Sequence, residues 1–138
     1  MTATVRYTDA EPNGMAAMLG GLIEANLVQH PERERLLQDA TVGILAPDAG
    51  VGVTLRFAPG SVTVTNGMPE GKAEILVRAN SDTLIELSSV PLRFGLPDAG
   101  TKDGRAVTRK LIKGEIKVKG MYTHPGVLAR LNKLLSVN

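Results

Sequence analysis

Between Asp39 and Ala79 apolar and polar residues alternate with a period of two, and on both sides of that block apolar residues recur at helical spacing. Val42, Ile44 and Ala46 alternate up to a turn at Pro47-Asp48-Ala49-Gly50, and Val51, Val53, Leu55 and Phe57 then alternate against Gly52, Thr54 and Arg56, which predicts a hairpin. Ala58-Pro59-Gly60 turns the chain into Ser61 to Asn66, with Val62 and Val64 on one face and Ser61, Thr63 and Thr65 on the other. After Asn66-Gly67 and a loop, Ala73 to Ala79 sets Ile75 and Val77 against Glu74 and Arg78. A last strand is predicted in Gly114 to Gly120, with Ile116 and Val118 inward and Glu115, Lys117 and Lys119 toward water. One wet face per strand is the mark of an antiparallel sheet backed by helices.

The helical segments supply that backing. Met15, Met18, Leu19, Leu22, Ile23 and Leu27 predict an amphipathic helix with Pro12 in its first turn. Gly20 and Gly21 in its middle each cost about 0.5–1 kcal/mol relative to Ala, so a close neighbour is expected against the backbone there. Pro31 ends this helix and opens a short second one with Glu32 and Glu34 at its positive end and Leu36 and Leu37 as anchors. Asn80 or Ser81 suits the N-cap of a helix carrying Leu84, Ile85 and Leu87, closed by Pro91. Pro91 to Gly104 is expected to be irregular and Arg105 to Lys113 helical, with Val107, Leu111 and Ile112 inward. Thr123 is placed as the cap of a final helix with Pro125 in its first turn and Val127, Leu128, Leu131 and Leu135 on its apolar side. The prediction is an α+β fold in one domain over residues 1–138: a five-stranded antiparallel sheet with amphipathic helices covering one face.

A length of 138 residues, 43% hydrophobic and 22% charged, is that of one ordinary folded domain and not of a disordered chain. The absence of cysteine removes disulfides, thiolate metal sites and a thiol nucleophile, and no segment approaches a membrane span, so a cytoplasmic location is expected. The net charge of +2 conceals a basic C-terminal segment: from Lys102 on there are nine Lys or Arg against Asp103 and Glu115, a local excess of seven. Such a segment suits nucleic acid, anionic headgroups or an acidic ligand. The four aromatic residues, Tyr7, Phe57, Phe94 and Tyr122, are too scattered for a base-stacking platform, which argues against nucleic acid. Lysine on an edge strand also protects a sheet from aggregation, an equally good account of the charge.

Recognisable catalytic chemistry is not found. His30 and His124 each precede a proline without ligand spacing around them, so no metal or other cofactor is assigned. Ser81, Ser88 and Ser89 lie outside any nucleophile elbow. Gly50 and Gly52 join two strands, where a phosphate-binding glycine loop requires a strand followed by a helix. Carboxylate pairs such as Glu32 with Glu34, or Asp82 with Glu86, sit on polar helix faces, and no general acid or base is assigned. What remains is an aliphatic layer between sheet and helices, either packed solid or holding a ligand.

Two segments resemble the sterol carrier protein type two family of lipid-transfer domains. Lys72 to Ser89, KAEILVRANSDTLIELSS, is similar to the family's strand followed by a Ser-Asp helix, and Lys113 to Gly120, KGEIKVKG, to its glycine-bounded last strand. The resemblance implies a non-catalytic carrier with an apolar tunnel for a sterol, fatty acid or fatty acyl-CoA. Its lining would comprise Ile75, Val77, Leu84, Leu87, Leu111, Ile112, Ile116 and Val118, with Val127, Leu128 and Leu131 of the last helix as a movable wall. Lys110, Lys113, Lys117 and Lys119 are expected as a basic rim steering an acidic group, with transient contact to an anionic membrane and a homodimer both compatible. The alternative is an interaction or dimerisation module of the same fold with a filled interior.

Overall fold

The period-two block folds into strands as its pattern dictates, and it recruits further strands that the pattern did not announce. The computed structural model describes residues 4–83, 92–93, 96–97, 102, 105, 109, 116–120 and 123–135. In chain order these hold β1 (Thr4–Tyr7), α1 (Gly14–Gln29), a 3₁₀ helix (Pro31–Leu36), β2 (Ala40–Ala46), β3 (Val51–Ala58), β4 (Ser61–Asn66), β5 (Ile75–Arg78), β6 (Leu92–Arg93), β7 (Leu96–Pro97), β8 (Lys117–Lys119) and α2 (Pro125–Leu135).

The main sheet is six-stranded and mixed, in the order β1-β4-β3-β2-β5-β8, which corrects the expected five-stranded antiparallel sheet. The expected meander is present: β2 pairs antiparallel with β3, and β3 with β4. The first difference is β1, whose four residues run parallel to β4, flanked by the hydrogen bonds Thr4 N–H to Gly60 O and Thr8 N–H to Val64 O. So short a segment, with mostly exposed residues, carries almost no periodic signal. The second difference is β5, which runs parallel to β2. After β4 the chain crosses β3 and β2 on the outer face instead of turning back. Thr54 Oγ1 donates to Gly67 O, Met68 stands over Gly52, and Met68 and Pro69 stand over Gly43. Glu74 receives the chain beside β2, its N–H donating to Thr41 O and its carboxylate accepting the Thr41 N–H. Gly120, at φ +93°, closes against the Glu74 carbonyl, where no side chain fits.

Smaller corrections have local causes. Helix α1 begins at Gly14 with Asn13 as its cap, Oδ1 accepting from Ala16 N–H, so Pro12 precedes the helix and does not lie in its first turn. The Thr123 hydroxyl donates to Gly120 O, and it is the His124 carbonyl that accepts the first helical bond, from Leu128 N–H. The stretch expected to be irregular contains the β6–β7 hairpin and a helical Lys102. Arg105 and Arg109 are helical and exposed, and Ser81 to Thr83 open a helix at the expected place. Of the paired glycines in α1, Gly20 meets the Tyr7 ring, the close neighbour expected, whereas Gly21 faces open space.

The helices share one face of the sheet. Met15, Ala16, Leu19 and Ile23 of α1 enter the same apolar cluster as Val53, Leu55, Val62 and Val64. Helix α2 packs on α1 and on the 3₁₀ helix, and its C-terminal carbonyls are taken up by side chains from both: Asn26 Nδ2 donates to Leu134 O at 2.9 Å and Arg33 Nη1 to Lys133 O at 2.8 Å. These groups would otherwise be orphaned at a helix end.

Two substitutions test this account in urea denaturation. Asn26→Ala removes the buried donor to Leu134 O and is expected to cost about 1–3 kcal/mol. Gly43→Ala places a Cβ 2.7 Å from both Leu76 Cδ2 and Pro69 Cδ. The leucine tip can swing aside but the proline ring cannot, so a loss of about 1–3 kcal/mol is expected.

Candidate functional site

Two regions of the molecule are candidates, one on each side of the sheet. The inner one is the aliphatic layer. Pairwise alternation on β5 and β8 puts Ile75 and Val77 opposite the helices, with Val118 directly across from Val77. Ile75, Val77, Ile116, Leu128 and Leu131 are buried in one cluster, and Val118 and Val127 pack half-buried against it. The structure therefore gathers every expected lining residue that it describes. Leu84, Leu87, Leu111 and Ile112 lie outside the described residues, as do Lys110 and Lys113. Leu134, also buried, adds to the α2 wall. The helical spacing of the final segment carried the signal for it, since Leu134 follows Leu131 by three residues and Val127 by seven.

Beneath α1 this layer is closed: Ile23, Ile44, Leu55, Val42, Val53, Val62 and Val64 are fully buried. The buried polar side chains among the described residues are Asn26, Thr54 and Thr83, and of these Thr54 lies on the outer face of the sheet under the crossover. Asn26 and Thr54 are held in the structural bonds already described, and among the described residues no buried side-chain N or O lacks a partner. Among the described residues no three His, Asp or Glu side chains gather where a metal ion could be held. The layer offers an apolar surface and no acid, base or nucleophile among those residues.

The outer region is a groove of about 460 Å³ at the β5–β8 edge, lined by Gly71, Lys72, Ala73, Glu74, Leu76, Lys119 and His124. Register puts Lys119 across from Leu76 and Lys117 across from Arg78, so the two described lysines of the expected rim lie on the face away from α1 and α2. Glu74 accepts from the Thr41 amide, and the groove sets the two ammonium groups of Lys72 and Lys119 against this one carboxylate. Sequence reasoning did not find the groove, because Lys72 and His124 are brought to it by the crossover and by the approach to α2. The shared parity of Lys117 and Lys119 was its one visible sign.

Where the third helical segment opens, Asp48 of the β2–β3 turn accepts from Ser81 Oγ at 2.6 Å and from Ser81 N–H at 3.0 Å. The Ser81 hydroxyl, and then its amide, hold the Asp48 carboxyl below the ordinary carboxylate value.

No protein-family model matches the chain, and no curated protein matches its sequence. Among solved structures, one described as "UbiJ-SCP2 Ubiquinone synthesis protein" superposes with a TM-score of 0.60 at 19% identity, covering 88% of this chain and 92% of that one. A conserved hypothetical protein from Thermus thermophilus, described as possibly a sterol carrier protein, matches at a TM-score of 0.44 and 12% identity, over 99% of this chain and 96% of that one. The first likeness shows that this chain has a sterol-carrier-like α+β fold, as its two motif segments implied; the second is too distant to add to it.

A carboxyl whose folded-state pKa lies below its unfolded value adds stability that is present above the unfolded value and is lost as pH falls through the folded one. Ser81→Ala is therefore expected to raise the Asp48 pKa toward its ordinary value in a carbon-detected NMR titration. It should also weaken the acid-side fall in stability.

Proposed function

We propose that the chain binds an apolar, lipid-like ligand between sheet and helices and carries it without transforming it. The observation that supports this reading best is the convergence of Ile75, Val77, Ile116, Val118, Val127, Leu128 and Leu131 on one aliphatic cluster, within a fold shared with a sterol-carrier-like neighbour. An interior of Leu, Ile, Val, Met and Ala recognises length and shape more than functional groups. Burying a sixteen-carbon chain is worth about 12 kcal/mol gross, at ~0.8 kcal/mol per CH₂, before ordering costs reduce it. A sterol, a fatty acid or a fatty acyl-CoA fits such a layer. The neighbour's description as a ubiquinone synthesis protein adds long isoprenoid chains to the candidate cargoes. Carriage in place of catalysis accords with a layer whose described polar groups are engaged in structural bonds.

The closed packing beneath α1 favours a second reading, in which the whole interior is filled and the fold serves as an interaction or dimerisation module. Native mass spectrometry of freshly purified protein, followed by titration with a fluorescent fatty acid, separates the two. The carrier reading expects a co-purified lipid that the probe displaces. It also expects Val118→Trp, which fills the half-buried position on β8, to weaken the probe by roughly fiftyfold through displacement of about three methylenes. A single apo mass with no probe uptake would sink the carrier reading and leave the filled module.

A further inference from the structure

The outer face of the sheet carries a charge that the carrier reading does not use. Cross-strand register aligns its side chains in rows. Arg6 lies beside Thr63, Thr63 beside Arg56, and Arg56 beside Thr41. Leu45 lies beside Arg78, and Arg78 beside Lys117. Thr54 lies beside Gly43, Gly43 beside Leu76, and Leu76 beside Lys119. Arg6, Arg56, Arg78, Lys117 and Lys119 are all exposed, as is Lys72 on the crossover. None of them forms an ion pair among the described residues. The described carboxylates near this side include Glu70, Glu74, which accepts from the Thr41 amide, and Asp9 at the β1 edge, which accepts from Thr8 Oγ1 and the Asn66 amide. An array of cations, unpaired among the described residues, on the face away from α1 and α2 creates a field that attracts anions.

Two further features indicate which anion. Met68 stands 37% exposed on this face, with Gly52 and Gly43 beneath it and Pro69 beside it, so an apolar tip rises among the cations. The groove of about 460 Å³ between Lys72 and Lys119 has Leu76 as an apolar wall and room for a phosphate-bearing headgroup. Cations around an apolar tip are the combination with which peripheral proteins meet lipid. Nucleic acid would instead call for stacking aromatics, and no described aromatic residue lies on this face: Tyr7 and Phe57, the aromatics among the described residues, share the parity of the inner side.

We propose that the outer face of the sheet docks on an anionic phospholipid membrane, with Arg6, Arg56, Arg78, Lys72, Lys117 and Lys119 facing the headgroups and Met68 entering the interface. This docking stands on the charge and shape of the outer face and does not depend on what the inner layer holds, so it survives or fails separately from the carrier reading.

The test is co-sedimentation of the full chain with phosphatidylcholine vesicles, with and without phosphatidylglycerol. Binding is expected to the anionic vesicles alone and to weaken as salt rises. Lys117→Glu/Lys119→Glu is expected to lower it by about thirtyfold or more, at ~1 kcal/mol per basic residue near an anionic surface. Arg35→Glu/Arg130→Glu, on the helical side, should leave it within a few-fold, as a surface substitution away from the contact does. Because the chain has no cysteine, a bimane label at Met68→Cys should shift to the blue on vesicle binding, and one at Ala25→Cys on α1 should not. Equal binding to neutral vesicles, equal losses from both double variants, a shift at Ala25 in place of Met68, or salt-sensitive binding to an oligonucleotide without vesicle binding would each overturn the proposal.

Discussion

The register of β2 is the constraint on which the rest of the structure depends. This strand joins the β2–β3–β4 meander to the β5–β8 pair, so its alternation is imposed on both. Val42, Ile44 and Ala46 face the helices and are almost fully buried, while Thr41, Gly43 and Leu45 face outward. A slip of one residue would exchange these sets, exposing the branched side chains and putting Val42 or Ile44 under the crossover in the place of Gly43. Only the absence of a side chain at Gly43 lets Pro69 and Met68 lie on the sheet at that point. The crossover in turn delivers Glu74 to the Thr41 amide and sets β5 parallel to β2. Hydrophobic patterning and one glycine thus fix both the orientation of the sheet and the path of the chain across it.

How much of this was legible follows from how local each determinant is. The meander could be read because Val42 to Val64 alternate strand by strand and the turns between them hold proline or glycine. The composition of the α1 and α2 faces could be read from helical spacing, though not the residues that cap them. The direction of β5 could not, since Ile75 and Val77 alternate identically in a parallel or an antiparallel ladder. The deciding contacts, Met68 and Pro69 on Gly43 and Gly52, join residues far apart in sequence and consist of a missing side chain. Nor could β1 be read, being held to β4 by backbone hydrogen bonds that leave no trace in side-chain pattern. Asn26 shows the same limit at a polar residue: nothing in its own segment announces that its amide serves a carbonyl at the end of another helix.

The candidate site divides along the same line. The burial of its described aliphatic residues was legible, because positions that must avoid water declare themselves by period. Its charged half was legible in amount and not in placement. The count of lysines near the C-terminus was evident, but their side of the sheet follows from the pairing of β8 with β5, and their companions Arg6, Arg56 and Lys72 come from distant parts of the chain. Lysines on the helix side of a sheet and lysines on its other side have the same composition; topology alone distinguishes them.

Two bland explanations of the outer charge compete with a recognition surface, and the topology discriminates between them. Lysine on an edge strand blocks unwanted pairing, which accounts for Lys117 and Lys119 on β8. It does not account for Arg56 on β3 or Arg78 on β5, strands flanked on both sides and with no free edge to protect. A wet sheet face also needs polar residues for solvation, but Thr41, Thr63 and Thr65 already supply polarity, and solvation alone favours mixed signs that relieve repulsion. Arg56 stands between Thr41 and Thr63 without a carboxylate partner, and Arg78 and Lys117 are like charges directly opposite each other, an arrangement that costs stability in a sheet. Like charges kept adjacent on neighbouring strands are accounted for by an anionic surface that meets them from outside, which is why the charge pattern of this face carries more information than its charge count.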